Sequence, residues 1–451
     1  MSGPHAHPCH GTGGFMRSIE EHYRFTQSLA EAWLQRANRG AETVPLAQAL
    51  GRVLACPVSA QQAVPPFSNS AMDGFAIRAS DVPADLSSWD LSTAPLRFPV
   101  SGDVFAGAVP ELPPPGHAQR IMTGAPVPED AEVLVIPVEA TNIPAGPHPL
   151  PESIEVYELD PEHSHVRRAG SNIRPGDALA PAGCELDAGT VAALIATGVD
   201  EVTVYPELRV AVVTTGDEVA VTSDAETDRA RSGSAESSLP RIPDSNGPMV
   251  AQLAEALGAG VTASVHQVRD DADAFRCLLN ELAASHDIIV TTGGISAGAF
   301  DVVKQVAGES SSDMWFGPLN MQPGKPQGGG LWAGTPLLCL PGNPVSVWVS
   351  FHIFVDPVLR RMRGLASYGT ALNRPSVRAR VRGQFPASTG RTLISPVRVN
   401  YSGTEPVVDA FSGQRFGSHF VASLVGLDGM VVIPAGSSGP AEGEEVDVLL
   451  L

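Results

Sequence analysis

Between residues 208 and 365 short apolar runs alternate with amphipathic stretches, and this rhythm restricts the fold more than any other feature of the chain. "RVAVVTT", "VTASVHQV", "DIIVTT" and "PLLCL" are rich in β-branched or aliphatic residues and read as strands. Between them come helical spacings: Met249, Val250, Leu253 and Leu257 over 248–257, then Phe275, Leu278, Leu279 and Leu282 over 271–284. Further helices are expected over 301–306 and from Pro344, with a short strand between the first of these and "PLLCL". Near-continuous apolar strands alternating with helices predict a parallel sheet covered on both faces, a doubly wound α/β domain.

In an open α/β sheet of this kind, ligands bind beyond the carboxyl ends of the strands. Chemistry-bearing residues gather at several of those ends. "TTGDEV" places Asp217 and Glu218 after the first strand, and "PDSNGP" places Asp244, Ser245 and Asn246 before the next helix. "RDD" supplies Asp270 and Asp271. "TTGGISAGAFDVVK" carries Gly293, Gly294, Ser296 and Gly298, then Asp301 and Lys304. "PGKP" holds Lys325, and "LPGNPVS" holds Pro341, Gly342, Asn343, Pro344 and Ser346.

Each motif also has a purely structural reading. Asp244 or Asp270 can cap a helix, Glu218 can be a solvated turn residue, and the prolines can open helices. "GGISAG" is neither GxGxxG nor a P-loop, so alone it serves a turn as readily as a phosphate. Five such motifs on one sheet edge instead suggest a pocket of backbone donors, two lysines and several carboxylates. That mixture suits a phosphorylated ligand with a divalent cation, because Mg2+ prefers oxygen ligands and bridges carboxylate to phosphate.

The flanks differ in character. Residues 16–37 suit an amphipathic helix, and "PLAQALGRVLACPV" suits a second, shorter one. Residues 61–160 are rich in Pro, Gly and Val in short runs, as expected of a β-rich unit. They include "PPFSNSAMDGFAIRASD", in which Asp73 sits in a tight-turn context beside Ser68, Asn69 and Ser70, and "RIMTGAPVPEDAEVLVIPVEAT", with Thr123 and Glu139. A short helix is expected in "LDAGTVAALIATGV". Beyond 366, "SVRARVRG", "LISPVRVN", "GMVVIPAG" and "EVDVLLL" read as strands of a closing β unit.

A formal net charge of −20 argues against binding to nucleic acid or an anionic membrane surface. Five scattered cysteines without a CxxC favour reduced thiols. No signal-peptide pattern or unbroken apolar span is visible, and the expected location is the cytoplasm. His5, His7, Cys9 and His10 match no structural zinc spacing and read as part of a tail.

Taken in order, "NSAMDGFA", "RIMTGAPVPEDAE", "TTGDEV", "DSNGPM", "TTGGISAGAFDVVK", "QPGKP" and "LPGNPVSVWVSF" resemble the molybdopterin molybdenumtransferase family, the MoeA and gephyrin E-domain proteins. The resemblance covers most of residues 15–450. It implies a multidomain α/β plus β fold: an elongated helix/strand domain (15–60 with 161–205), a β-rich domain (61–160), a molybdopterin-binding α/β domain (206–365) and a C-terminal barrel-like β domain (366–451). Segments 1–14 and 222–240 are expected to be flexible.

The resemblance implies a homodimer with a shared active site, inserting molybdate into adenylylated molybdopterin and releasing AMP with Mg2+. It implies contacts from Asp73 and Thr123 of one subunit. From the other would come Glu218, Asp270 and Asp301 as cation contacts, Asp244 as a ligand contact, and Lys304 and Lys325 toward phosphate or oxyanion. The "GGIS" and "PGNP" turns would hold the pterin nucleotide.

Two departures stand out: "RRAGSNI" offers Ser171 and Asn172 where the family commonly has an acidic residue, and Gln322 replaces a common lysine before "PGKP". They keep a weakly active or non-catalytic paralogue, a molybdopterin carrier or scaffold, as an alternative. Molybdopterin adenylylation or CinA-like nucleotide chemistry is a second alternative, opposed by "SAMDG" and the four-part layout. A molybdopterin adenylyltransferase or a molybdoenzyme is the expected kind of protein partner.

Overall fold

The structure is a computed structural model, and it describes residues 16–37, 39–129, 132–220, 241–295, 301–310, 313–410 and 417–451. The expectations for 1–14 and 222–240, and the N-terminal His/Cys tail, lie outside the described residues, as do Ser296 and Gly298.

Helix α1 (Ile19–Arg36) begins at a reciprocal capping box: Ser18 accepts from the Glu21 amide while the Glu21 carboxylate accepts from the Ser18 amide. Strand Glu42–Pro45 then pairs antiparallel with Glu201–Val204, bringing the two ends of the N-terminal half together. The expected second helix in "PLAQALGRVLACPV" is a single 3-10 turn, Leu46–Gln48. Its apolar spacing imitates a helix, but Gly51 adopts φ +75° with the Ala259 backbone against it. Val53 and Leu54 then enter β-bridges.

Residues 74–156 build a five-stranded sheet in the order Val133–Pro137, Gly74–Arg78, Ala118–Ile121, Leu96–Val104, Ser153–Val156. Its core packs Phe75, Ile77, Phe98, Ile136 and Ile154. Helix α2 (Ala188–Ala196) follows, capped by Asp187.

The central domain comprises β1 (Leu208–Thr215), α3 (Asn246–Glu255), β2 (Val261–Val268), α4 (Ala272–Ser285), β3 (Ile288–Thr292), α5 (Val302–Ser310), β4 (Trp315–Pro318), β5 (Pro326–Trp332), β6 (Thr335–Leu340), α6 (Pro344–Ser350) and α7 (Asp356–Met362). The sheet order is β2-β1-β3-β6-β5-β4. β2, β1, β3 and β6 are parallel, as their apolar runs imply. β5 and β4 extend the sheet antiparallel, so it is mixed rather than wholly parallel. The glycines of "GGG" at 328–330 allow this close pairing: a Cβ on Gly328 would meet the Phe316 ring at 2.3 Å.

Alternate residues of each strand serve opposite layers. Val210 and Val212 join Val250, Ala254, Val347 and Phe351 on one face, with Leu29 and Ala30 of α1 packed there too. Ala211 and Val213 join Phe275, Leu279, Val303 and Val306 on the other. Burying a Leu or Phe side chain contributes about 1.5–3 kcal/mol, so these layers fix the strand ends firmly.

The C-terminal sheet has seven strands in the order Met321–Gln322, Thr392–Val397, Gly429–Ile433, Glu445–Leu450, Ser376–Arg382, Val407–Asp409, Val399–Asn400. Its first strand comes from the central domain. Met321 pairs with Thr392 and Gln322 with Leu393, which ties the "PGKP" loop to the C-terminal sheet.

Candidate functional site

At the carboxyl ends of β1, β3 and β6 a cavity of about 1180 Å3 opens. Its wall brings together Glu218, Asp244, Ser245, Asn246, Asp270, Gly293, Gly294, Asp301, Lys325 and the run Pro341–Pro344. These are most of the strand-end residues singled out from the sequence.

The glycine turn after β3 works as its sequence suggests. Gly293 and Gly294 hold φ +92° and +65°, a left-handed backbone that other residues adopt only at a cost. A Cβ on Gly294 would also meet Val303 of α5 at 2.7 Å. The Gly293 amide donates to the Leu340 carbonyl at 3.1 Å, locking this turn to the end of β6.

Asp244 is mainly a positioning group. Its Oδ1 accepts from the Asn246 and Gly247 amides at 3.1 and 2.9 Å, holding the start of α3, and Oδ2 accepts from Gln267 at 3.0 Å. Asn246 in turn donates to the Gly342 carbonyl at 2.7 Å, so α3 is pinned to the "PGNP" turn. The cap of α4 is Asp271, which accepts from the Asp273 and Ala274 amides. Asp270, the capping candidate from sequence, is left to face the cavity.

Asp270 has its pKa raised, first by burial and then by the neighbouring Asp217, Glu218 and Asp301 charges. Asp301 Oδ2 is buried without a hydrogen-bond partner among the described residues. The hydroxyls of Thr214, Thr215 and Thr292, all on the cavity wall, are also buried and unpartnered, as is Asn246 Oδ1. Buried polar groups normally find partners, so five such atoms in one wall mark a surface made for a polar ligand.

As placed, the carboxylates do not enclose an ion: no three His, Cys, Asp or Glu side chains among the described residues form a metal-sized group. One or two carboxylates can still serve Mg2+, which usually takes its remaining ligands from water and substrate phosphates.

Three expected residues stand apart. Lys304 is exposed on α5 and does not line the cavity; its amide donates to the Gly294 carbonyl at 3.3 Å. Asp73 and Thr123 meet each other, with the Thr123 amide donating to Asp73 Oδ1 at 2.6 Å. That exposed pair lies on the five-stranded domain and contributes nothing to this cavity. Asn172 is exposed and outside the wall, whereas Gln322 is part of it.

The sequence reading missed a whole side of the cavity. Arg391, Pro396, Ser418, His419, Val421 and Ser423 line it from the C-terminal domain. Asn343 donates to Ser418 Oγ at 3.0 Å, and the Val345 amide to the Ser418 carbonyl at 3.1 Å, seating this segment on the "PGNP" turn. The pairing of "MQ" with "TL" could have signalled this proximity, but two-residue strands leave no periodicity. Lys304 and Lys325 are also the only two lysines among 29 Lys and Arg residues.

Comparison with known proteins follows the same divisions. Residues 17–198 match the MoeA N-terminal region (domain I and II), 211–361 a probable molybdopterin binding domain, and 378–451 the MoeA C-terminal region (domain IV). Molybdopterin molybdenumtransferase 2 of Mycobacterium tuberculosis (strain H37Rv) is 38% identical over 356 residues, 78% of this chain and 80% of that protein. Molybdopterin molybdenumtransferase of Staphylococcus aureus (strain Mu50) is 28% identical over 417 residues, 92% of each. Among solved structures, the molybdopterin biosynthesis MoeA protein of Pyrococcus horikoshii aligns with TM-score 0.69 at 28% identity, covering 97% of this chain and 99% of that one.

Proposed function

This chain belongs to the MoeA family of molybdopterin molybdenumtransferases, and from that premise we propose that its strand-end cavity converts adenylylated molybdopterin and molybdate into molybdenum cofactor and AMP. The chain is an enzyme of molybdenum cofactor biosynthesis that handles molybdopterin. The observation carrying the finer reading is the single wall that combines Lys325 and Arg391, several carboxylates with Asp301 Oδ2 unpartnered, and unpartnered hydroxyls among the described residues.

In this reading the Gly293–Gly294 and Pro341–Pro344 turns lie along the pterin nucleotide, with Asp244, Ser245 and Asn246 holding the start of α3 beside it. Lys325 and Arg391, on loops joined through the Met321–Thr392 pairing, face the phosphate and the molybdate oxyanion. Lys304, one turn beyond Asp301, offsets charge near that carboxylate. Glu218, Asp270 and Asp301 are the candidates from which one or two carboxylates would hold Mg2+ beside substrate oxygens. The unpartnered Asp301 Oδ2, and the Asp270 pKa raised first by burial and then by the neighbouring carboxylates, support that assignment. Bound Mg2+ supplies neutralisation of charge developing at the pyrophosphate bond. The protein's share is to fix both reactants at short distance and exclude bulk water from them.

Asp73 and Thr123 point to a homodimer, in which these residues of a second copy close the open side of the cavity. An exposed carboxylate held by one backbone amide has no evident role within its own chain. The location proposed is the cytoplasm; no helix among the described residues is long and apolar enough to cross a membrane. Gln322 on the wall favours, as a second reading, a slow paralogue that carries molybdopterin.

AMP release from adenylylated molybdopterin, with molybdate and Mg2+ each present or withheld, separates the two. Release that needs both supports the insertase. Tight binding without release supports the carrier.

A further inference from the structure

A second polar cluster lies away from the cavity, on the exposed edge of the central sheet. Ser264 and His266, two apart on β2, project to the same side as α4. His286 sits just beyond the last residue of α4. Both imidazole Nε2 atoms reach one oxygen, Ser264 Oγ, at 2.8 Å from His266 and 2.9 Å from His286. The rings are nearly perpendicular, at 87° with centroids 5.8 Å apart.

Ser285 Oγ donates to the Glu281 carbonyl at 3.0 Å, so its contact with His286 Nδ1 at 2.9 Å must be an acceptance. His286 therefore carries its proton on Nδ1 and aims the Nε2 lone pair at Ser264. The Ser264 proton goes to that lone pair, leaving its oxygen to accept from His266 Nε2–H. The adjacent Arg209 pairs with Asp287, with Nε to Oδ2 at 3.2 Å, which offsets part of its charge beside the rings.

A neutral imidazole whose far nitrogen donates to a fixed oxygen is the usual arrangement of a metal-ligating histidine. Two imidazole nitrogens and a hydroxyl around one point suit a borderline first-row dication, which tolerates N and O donors and completes its shell with water. We infer that Ser264, His266 and His286 form a binding site for a dication of the Zn2+ class, oriented by Ser285 and distinct from the strand-end cavity. Ion entry requires a tautomer shift of His266 from Nε2–H to Nδ1–H, rotation of the Ser264 hydroxyl proton away from His286 Nε2, and closure of the rings by side-chain rotation. The site lies on the strand that leads to Asp270, with His266 about 13 Å before it at ~3.3 Å per residue.

The test uses the full chain and ZnCl2 alone. Calorimetric titration at pH 7.5 is compared for the wild type, His266→Ala, His286→Ala and Ser285→Ala, and anomalous diffraction at the zinc edge locates the ion. Zn2+ between the two rings, lost in either histidine variant and bound roughly 10–100-fold more weakly in Ser285→Ala, is the expected result. Circular dichroism confirms that the variants fold, and the wild-type anomalous map stands without them. Zinc density only elsewhere, or equal stoichiometry and affinity in all four proteins, overturns the inference.

Discussion

Arg363 and Arg374 are almost fully buried, as are the polar atoms at the ends of β1 and β3, yet the two regions are satisfied very differently. Arg363 donates to the carbonyls of Leu257 and Gly51 and to Glu185, drawing the N-terminal half onto the central domain. Arg374 pairs with Asp356 at 2.7 Å and reaches the His352 carbonyl. Each of these side chains has a partner, even where a single atom such as Arg363 Nε or Asp356 Oδ1 lacks one. In the cavity wall whole hydroxyls, those of Thr214, Thr215 and Thr292, have none. Around Arg363 and Arg374 the buried charge is paired within the chain, whereas along this wall the three hydroxyls are left open, and their desolvation would be compensated on binding.

This contrast is open to attack from both sides. Truncating one partner of a buried ion pair strands the other charge, so Arg374→Ala should lose ~3–5 kcal/mol in urea unfolding. The pKa of Asp356 is raised, with burial outweighing the pull of Arg374, so the pair itself adds little net stability. Asp356→Leu with Arg374→Met should therefore recover most of that loss; a double variant as unstable as the single one would show that the pair contributes more than shape.

Asp301→Asn should behave oppositely. AMP release falls about 100- to 1000-fold, as when one preorganised electrostatic contact is removed, while the urea midpoint stays unchanged. Wild-type turnover in that variant would remove Asp301 from the mechanism. Lys325→Arg keeps the charge but replaces a compact ammonium by a planar fork. A drop of about tenfold in kcat/KM is expected, and no drop would make Lys325 a general counter-charge.

Asp270→Asn gives the smallest effect. Because the folded-state pKa of Asp270 is raised, its unfavourable charge is absent below the ordinary carboxylate pKa of about 3.9 and fully present above the raised value. Wild-type stability without ligand should thus decline as pH rises through that window. The Asp270→Asn variant should show a slightly higher Tm and a flatter pH profile, and an identical profile would assign the repulsion elsewhere.

The cavity was legible in sequence where function sits at the end of a strongly periodic element. "TTGGIS" and "LPGNP" follow buried strands, so their position on the sheet edge came with the fold. The side formed by Arg391 and by Ser418 to Ser423 was not legible, because these residues reach the cavity through a two-residue strand and a docked loop. Thr214, Thr215 and Thr292 were hidden for another reason. As β-branched strand residues they fit the apolar runs, and only their missing partners reveal a different task. Where one short strand is expected before "PLLCL" there are two, β4 and β5, and their antiparallel pairing was not legible because a glycine run carries no hydrophobic alternation.

The scarcity of lysine has a practical consequence. With side-chain amines only at Lys304 and Lys325, acylating reagents that would decorate most proteins indiscriminately become nearly site-directed probes of this one. Amine coupling at either lysine would tether the molecule at or beside its cavity and blunt binding there, whereas attachment through an exposed thiol, Cys56 or Cys277, would leave both amines free.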